Sequence, residues 1–437
     1  MTDQSNSIAY VRDTMIPEQD PPLTEKGIVK WVRENLFSGW LNSVLTILSL
    51  YVIWMVVSHT FPWFFNGIWI ADSLSQCREV RDATLGQGAS AACWAVIAER
   101  WPQLVFGFYP SDLYMRPVLA FVIFMIGLAP VLFESVSRKL LVVTAVSPFA
   151  AYWLIWGGSL WGPIAIAAGF GIGYVLYQTL SEKSGALVAT LATIIVPILY
   201  WLYAAGAVSS TLQSIVPIEI AYVESKQLGG FMLAIIIGLA GIILSLPLGI
   251  MLALGRQSDL FIINKTSVIF IEVIRGVPLI VWLFTASLLL NYFLPPGTNF
   301  DLVLRVVIMV TLFSSAYIAE VVRGGLAALP KGQYEAADAL GLDYWKSMRL
   351  IVLPQALKIS IPGIVNTFIG LFKDTTLVVF IGLLDPIGLS NAIRATTEWN
   401  GIYWELFAFI GLMFFVFCFS MGRYSMFLEK KLQREHR

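Results

Sequence analysis

Two ionisable residues stand side by side within an apolar stretch near the carboxyl end of the chain. Lys373 and Asp374 lie near the middle of the segment Ile359–Leu384, and Asn366 shares a helical face with Lys373. A charge inside an apolar helix is costly, so such residues indicate a functional site by default. A cation suits the carboxylate of a ligand, and an anion suits its ammonium group. A structural ion pair that locks helices together, or an interhelical hydrogen bond from Asn366, would explain the same residues.

A second polar stripe lies on the preceding apolar segment. Ser314 and Tyr317 share one helical face, and we predict that they line a pathway through the molecule. Glu320 lies one step aside, near the end of the segment. Because an unpaired charge is unfavourable at this depth, we predict an ion pair between Glu320 and either Arg323 or Arg275.

A third group of charges precedes a proline. Glu272 and Arg275 flank the start of the apolar segment Ser267–Leu290, and Pro278 lies just inside it. Proline removes a backbone donor and breaks a helix. The group is either a gate or a kink whose freed backbone groups are satisfied by neighbouring helices, and the kink is the favoured interpretation.

Metal chemistry and covalent catalysis have no candidate residues. The histidines, His59 and His436, are far apart in sequence, and neither has a cluster of metal ligands around it. Cys418 lies in an apolar segment, where it is expected to act as a small hydrophobic side chain. We predict no metal site and no catalytic residue in this chain.

The composition indicates what kind of secondary structure positions these residues. Of the 437 residues, 58% are hydrophobic and 13% are charged, and the mean hydropathy is +0.77. A soluble domain carries about 25% charged residues, so the composition excludes a cytosolic enzyme and a disordered scaffold. Lys+Arg and Asp+Glu balance at 28 each, which leaves no basic field for nucleic acid. The chain is predicted to be an all-α polytopic membrane protein.

About 20 apolar residues are needed to cross a bilayer as a helix, and ten segments of the chain qualify. A link of only four residues, 157–160, separates the third segment from the fourth, so a tight hairpin or a re-entrant pair would also fit there. The predicted spans are Trp40–Ser58, Pro117–Val136, Leu140–Trp156, Trp161–Leu180, Ala186–Val208, Leu228–Leu254, Ser267–Leu290, Leu302–Val322, Ile359–Leu384 and Trp404–Arg423.

Positive charge predicts the orientation, with both termini in the cytoplasm. The loops that this orientation places outside hold only Arg78, Arg81, Arg100, Arg116, Lys226 and Arg394. Residues 59–116 would then face an oxidising compartment. A bridge between Cys77 and Cys93 would stabilise the fold there by roughly 3 kcal/mol, and the alternative is two free thiols.

One predicted inside loop is long, and it spans residues 323–358. Pro330 favours the start of a helix, and residues 335–340 are rich in helix formers. Gly341 suits the position just after the end of that helix, where the backbone turns left-handed. A short helix with a bend at Gly341 is therefore predicted.

A second short helix follows the bend. Asp343 can cap its start, and Pro354 is predicted to end it. Ala336, Ala337 and Ala339 would leave a small-residue surface that could enter a groove of another protein.

This loop carries a resemblance to a known family. The sequence Glu335-Ala336-Ala337, followed by Gly341, Ile351 and Leu353-Pro354, resembles the EAA loop of ABC importer permeases. Residues 272–279 (EVIRGVPL), 316–325 (AYIAEVVRGG) and 373–377 (KDTTL) resemble the polar amino-acid uptake subfamily, which includes histidine, glutamate, glutamine, arginine and opine systems. The resemblance covers about residues 225–430.

The resemblance implies a domain organisation. Residues 225–430 would form a type I ABC importer permease core of five helices, and residues 323–358 (hereafter the coupling loop) would dock on the ATP-hydrolysing subunit. A cytoplasmic segment (1–39) and a transmembrane extension (40–224) precede the core, and a cytoplasmic tail (431–437) follows it. In length and layout the chain is similar to the long permeases of general L-amino-acid and glutamate/glutamine/aspartate/asparagine systems. The coupling residues would be Glu335, Ala336, Ala337, Gly341, Leu353 and Pro354.

The resemblance also implies partners. No G-x-x-x-x-G-K-[ST] sequence is present to cradle ATP phosphates, so the chain is expected to be a transport subunit and not an enzyme. ATP and Mg would be bound by two ATP-binding cassette subunits. A second, related permease chain and a periplasmic amino-acid-binding protein would complete the importer in the bilayer of a bacterial inner membrane, with no nucleic acid involved.

Two other classes compete with this interpretation. An ion-coupled secondary transporter would also use intramembrane charges, but it needs inverted repeats, and no motif of residues 225–430 recurs in residues 1–224. A membrane-anchored assembly subunit would explain the extension but not the coupling loop. Uptake of polar L-amino acids by an ABC importer is therefore the main hypothesis.

Overall fold

The computed structural model describes residues 27–289 and 301–434. Residues 1–26 of the predicted N-terminal segment, Leu290 at the end of a predicted span, and residues 435–437 with His436 lie outside the described residues. The chain divides into two compact units. The first contains residues up to Ile68 together with Glu79–Cys93, and the second contains Trp69–Arg78 and the chain from Trp94 onward.

The all-α prediction is confirmed. In the described part of the chain, nine helices are long and apolar enough to cross a membrane, and a bent helix pair raises the number to ten if it is one span. Helices suit this environment because each satisfies its own backbone hydrogen bonds. The described strands are two short pieces, β1 (Gly158–Ser159) and β2 (Glu219–Ile220), which pair antiparallel.

Nine of the ten predicted spans coincide with described helices, with differences at the ends. Before residue 225 the helices are α1 (Gly27–Asn35), α2 (Trp40–Phe65), α3 (Leu74–Leu85), α4 (Ala95–Phe106), α5 (Met115–Leu132), α6 (Leu141–Trp156), α7 (Trp161–Lys183), α8 (Ala186–Leu199) and α9 (Ala205–Ile215). After it they are α10 (Gly230–Arg256), α11 (Phe261–Gly276), α12 (Leu279–Phe284), α13 (Leu302–Ala327), α14 (Lys331–Ala339), α15 (Tyr344–Ser347), α16 (Leu353–Asp374), α17 (Pro386–Arg394) and α18 (Trp404–Arg434).

The first unit is built on the single long helix α2. No residue of α2 is buried. Beyond its end, the backbone N–H of Ala92 donates to the carbonyl of Trp63, and the N–H of Ile68 donates to the carbonyl of Ala92, both at 2.8 Å. These two bonds fold residues 79–93 back onto the end of the helix.

In the second unit, the short link at residues 157–160 joins two long helices. Helices α6 and α7 are both long and apolar enough to be spans, so the tight hairpin, and not a re-entrant pair, is the arrangement found. Gly157 and Gly158 both have positive φ, which their missing Cβ permits. The β1–β2 pair lies at this turn.

The centre of the second unit is a parallel pair of helices, α10 and α13, with α16 running the opposite way beside them. A Cβ on Gly249 of α10 would lie 2.6 Å from the side chain of Ile318 on α13. Small residues let backbones approach this closely, which is how helices gain contact area in a lipid medium that offers no hydrophobic driving force. A residue larger than glycine at Gly249 would push the two helices apart.

The predicted span Ser267–Leu290 bends sharply at Pro278, where the sequence analysis favours a kink. Helix α11 and the segment Leu279–Leu289 meet at a bend of 101°. Pro278 has no N–H to continue the helix, and it forces Val277 into an extended conformation (φ −121°, ψ 135°). The favoured kink is therefore a full break.

The prediction that Pro354 ends the second short helix of the coupling loop is wrong. The structure shows a nearly unbroken helical run from Tyr344 to Ile381, in which α15, a π-turn (Met348–Val352), α16 and a 3-10 turn (Thr375–Ile381) follow one another. Pro354 is the second residue of α16. Proline is tolerated in the first turn of a helix because it removes an N–H that needs no partner there.

Candidate functional site

The first half of the coupling loop has the geometry that the sequence predicts. Helix α14 begins directly after Pro330, and Gly341 has φ +69°. The N–H of Gly341 donates to Asp338 O at 2.9 Å, and the N–H of Leu342 donates to Ala337 O at 3.2 Å. These two bonds form a Schellman motif, which satisfies the last carbonyls of the helix.

The second half of the loop is held to the membrane helices. The carboxylate of Asp343 accepts from the N–H of Lys346 at 2.8 Å and caps α15, as predicted. The side-chain amide of Gln355 on α16 donates to that of Gln333 on α14 at 2.9 Å. This hydrogen bond joins α14 to the long helix α16.

The predicted coupling residues do not all reach the surface. Glu335 and Ala336 are exposed, and Pro354 is exposed at the start of α16. Ala337, in contrast, is fully buried, and Leu353 packs against the core cluster that also contains Val352. The predicted small-residue surface is corrected accordingly, because the face of α14 that carries Ala337 turns inward.

Larger apolar side chains dominate the exposed surface of the loop. Leu340 is 73% exposed, Trp345 70% and Leu350 64%, and Tyr344 stacks edge-on against Trp345. Exposed apolar side chains of this kind are typical of a contact site for another protein or for a membrane. The sequence analysis did not identify these exposed side chains. The signal that could have found them is the presence of several large apolar residues in a predicted cytoplasmic loop.

At the level where the helices meet the coupling loop, Glu320 is surrounded by three arginines. Its carboxylate lies 3.1 Å from Arg256 Nη1 and 3.7 Å from Arg275 Nη1, and it accepts from Arg323 Nε at 2.9 Å. The ion pairs predicted with Arg323 and Arg275 are both present. Arg256 is the partner that the sequence did not indicate, since it is distant along the chain.

The arginine cluster links three helices near their C-terminal ends. Arg256 of α10 also lies 3.0 Å from Glu272 of α11, so α10, α11 and α13 share one network. The guanidinium of Arg275 lies 5.3 Å from the ring centre of Tyr317, a cation–π contact. The structure thus brings Glu272, Arg275 and Glu320, the candidates for a gate or a structural contact, together next to the coupling loop.

The polar stripe on α13 does not open onto a free surface within this chain. Ser314 is buried, and Tyr317 is half-buried beneath Arg275. Pathway lining by these two residues therefore remains a prediction.

Lys373 and Asp374 do not form an ion pair with any carboxylate or cation in the described part of the chain. Lys373 and Asn366 are exposed, and Asp374 is half-buried. A Cβ on Gly238 of α10 would lie 2.8 Å from the neighbouring Phe372, which places this level about 12 Å along a helix of about 40 Å. The pair lies nearer the end opposite the coupling loop than the midpoint that we predicted.

The cysteines differ in state. Cys77 and Cys93 are both disulfide-bonded and almost fully buried, and Cys418 is a free thiol.

Comparisons with known proteins show which family the chain belongs to. A family described as "Binding-protein-dependent transport system inner membrane component" matches residues 245–434. The "Glutamate/glutamine/aspartate/asparagine transport system permease protein BztC" of Rhodobacter capsulatus is 56% identical over 430 residues, which are 98% of this chain and 99% of that protein. The "Inner membrane amino-acid ABC transporter permease protein YhdY" of Escherichia coli is 39% identical over 92% of each chain. This chain belongs to the family of amino-acid ABC transporter permeases.

Proposed function

We propose that this permease imports polar L-amino acids of the glutamate, glutamine, aspartate and asparagine group. The observation that carries the proposal is the near full-length identity of 56% to a permease named for those four substrates. The chain is the membrane component of a binding-protein-dependent ABC importer, and the ATPase is a separate subunit. The finer assignments below are part of the proposal.

The proposed partners follow from the organisation of the importer. Two ATP-binding cassette subunits bind ATP and Mg, and a periplasmic binding protein delivers the amino acid. A second, related permease chain faces residues 225–430 across the pathway, while residues 40–224 form an extension at the rim. Both termini, residues 1–39 and 431–437, lie in the cytoplasm.

The proposed coupling runs through the loop and the arginine cluster. The exposed residues Leu340, Tyr344 and Trp345, with Glu335 beside them, contact the ATPase. When ATP closes the ATPase dimer, α14 moves and carries α16 through the Gln333–Gln355 hydrogen bond. Glu320 transmits the movement to α10 and α11, because it is bonded to Arg256 and Arg275.

The proposed pathway follows the exposed polar residues of α16 and the polar stripe of α13. Lys373 and Asn366 are exposed on α16, where the second permease chain would face them. Lys373 pairs with a carboxylate of the amino acid, and Asp374 with its ammonium group. Ser314 and Tyr317 lie on α13 on the same route.

Uptake in proteoliposomes tests the proposal. The complete transporter, purified with its ATPase, is reconstituted with the binding protein and radiolabelled glutamate, glutamine, aspartate or asparagine. We expect uptake that requires ATP and the binding protein and that is unchanged when proton and sodium gradients are collapsed. Uptake driven by an ion gradient without ATP would reject the proposal in favour of secondary transport.

A further inference from the structure

An apolar cavity lies inside the second unit, between the extension helices and the permease core. Its volume is about 410 Å³, within the range of pockets that hold small ligands. Phe124 of α5, Pro148 and Tyr152 of α6, Ile236 of α10 and Phe417 of α18 are among its lining residues. Its surface is almost entirely carbon.

At the end of the cavity nearest the coupling loop, two contacts hold the extension to the core. The hydroxyl of Tyr424 on α18 donates to Leu132 O at the end of α5 at 2.6 Å. Lys431 Nζ lies 2.5 Å from the carboxylate of Glu134. These contacts hold α5 against α18 where the two helices end.

At the opposite end, a second set of contacts holds α6 to the start of the core. The indole N–H of Trp156 donates to Ser225 Oγ at 2.7 Å, just before α10 begins. The hydroxyl of Tyr109, which precedes α5 within the extension, donates to Ile155 O at 2.9 Å and ties this end of α6 to the start of α5. Because the helix pair is held at both ends, the space between its middle and the core cannot close by a simple shift of α5 and α6.

The surroundings decide what fills this space. Protein interiors pack to the density of organic crystals, and a water molecule needs two to four polar partners that this lining does not offer. All four bordering helices are membrane spans, so the medium around them is lipid. The lining runs from Phe231 to Ile243 on α10, about 18 Å of helix, which is slightly more than half of a hydrocarbon core of about 30 Å. One acyl chain from one leaflet has this length and chemistry.

A cation is the sequence neighbour of a residue that lines one end of the cavity. Arg116 directly precedes Pro117, which lines the cavity at the end opposite the coupling loop. One guanidinium N–H of Arg116 donates to Ala221 O at 2.7 Å, and the side chain is half-buried. A guanidinium has five donors and matches phosphate oxygens.

We propose that a phospholipid binds between the extension and the permease core, with one acyl chain in the cavity and its phosphate at Arg116. The lipid completes the packing that α5 and α6 leave open, and it gives the extension a role as a lipid-binding rim. This inference depends on the membrane location of the helices and not on which amino acid is transported.

Photolabelling of the complete transporter tests the proposal. Proteoliposomes are prepared with phosphatidylethanolamine that carries a diazirine near the middle of one acyl chain, irradiated, and mapped by peptide mass spectrometry. We expect the label to concentrate on peptides that contain Phe124, Ile236 and Phe417. Label spread evenly over all lipid-facing helices would overturn the proposal, as would a cross-link showing a second permease chain in the cavity.

Two variants make the test specific. Ala240→Phe fills the cavity from α10 and should reduce labelling of these peptides at least about fivefold, whereas Ala168→Phe, at an exposed position of α7, should leave it unchanged. Arg116→Gln should weaken labelling, and unchanged labelling would remove the phosphate contact. If Ala240→Phe does not fold, native mass spectrometry of the unmodified complex gives the answer: a retained phospholipid that is lost in Arg116→Gln supports the site, and a lipid-free complex overturns it.

Discussion

Lys373 is an exposed cation on a helix that crosses the membrane, and it forms no ion pair in the described part of the chain. A charge placed there costs at least ~2.5 kcal/mol on insertion scales, so a structural role would require a partner that the described part of the chain does not supply. In the proposed pathway, the carboxylate of the transported amino acid supplies it. Lys373 differs in this respect from the arginines around Glu320, which form ion pairs within the chain.

The first prediction concerns substrate preference. Lys373→Met should lower transport more than the yield of folded protein, and it should shift preference from acidic toward neutral amino acids, because a carboxylate loses its counter-charge. Competition uptake with glutamate and glutamine measures this shift. Lys265→Met, on α11 outside the proposed pathway, is the matched control. Equal loss of yield and transport, with unchanged preference, would place Lys373 in a structural role.

Asp385 is a buried acid at the start of α17. Its Oδ1 accepts from the N–H of Gly388 at 2.8 Å, and its Oδ2 is buried without a hydrogen-bond partner in the described part of the chain. Burial raises the pKa of this carboxyl from 3.8 to about 6, although backbone hydrogen bonds oppose the shift. The folded chain therefore holds this proton more tightly than the unfolded chain.

The second prediction is a pH dependence of stability. The contribution of Asp385 to stability should fall by about 3 kcal/mol as the pH rises from about 4 to about 6, and then stay level. Asp385→Asn keeps the cap but carries no charge, so it should raise the melting temperature at pH 7 and abolish the slope. Melting curves of the purified complex at pH 4.5 to 7.5 measure both effects. Asp301→Asn, at the exposed cap of α13, should retain the slope, and an identical slope in Asp385→Asn would contradict the assignment.

At the scale of elements, the coupling loop turns at a single residue. Gly341 adopts φ +69°, and a Cβ there would meet no atom within 4 Å. The requirement at this position is therefore backbone conformation alone. A β-branched residue is a true outlier in this region, with a cost of the order of 1–2 kcal/mol.

The third prediction is that Gly341→Val uncouples the importer. The altered turn should misdirect Tyr344 and Trp345, so uptake should fall strongly while membrane insertion and ATP hydrolysis persist. Gly332→Val is the control, because Gly332 also has open space around it but no positive φ. Normal ATP-driven uptake by Gly341→Val would show that this turn does not transmit coupling.

The fourth prediction concerns the junction of α10, α11 and α13. Glu320→Gln leaves three arginines close together without their shared carboxylate, so we expect a loss of about 1–2 kcal/mol of stability, a value lowered by partial solvent screening. Uptake should fall further than stability, since the network links the helices to the coupling loop. Glu272→Gln removes a carboxylate that is 56% exposed, against 24% for Glu320, and it should have a smaller effect. Equal losses of stability and uptake in the two variants would show that Glu320 contributes no more to the network than Glu272 does.

At the scale of the whole molecule, the chain presents two different ends. The coupling loop and the arginine cluster lie at one end of the permease helices, whereas the start of α10 lies at the other, where the N–H of Gly230 donates to Leu384 O at 2.8 Å. In the proposed function, the ATPase meets the end that carries the loop, and this proposal places that end in the cytoplasm.

The fifth prediction is the orientation itself. Single cysteines introduced between residues 59 and 116 should react with an impermeant reagent from the periplasm, and one introduced at Lys346 should react only from the cytoplasm. Non-reducing mass spectrometry should recover a peptide linked through Cys77 and Cys93. Reversed labelling would reject the orientation, whereas two free thiols in fresh membranes would reject only the bridge.

The sequence by itself determined the features that depend on neighbours along the chain. Apolar runs long enough to span a bilayer appear as helices because each helix satisfies its backbone internally. The caps at Asp343 and Gly341 formed as predicted because they require only local hydrogen bonds. The family followed from the coupling loop and the motifs that flank it.

The tertiary structure decided whatever depends on contacts between distant segments. Arg256 forms an ion pair with Glu320, Ala337 is buried, and Pro354 lies inside a helix. Each outcome depends on which distant segment of the chain packs next to the residue. Hydropathy could not show the 101° bend at Pro278 because both halves of that segment are apolar. The cavity between the extension and the core likewise arises only when helices far apart in sequence are held together at both ends.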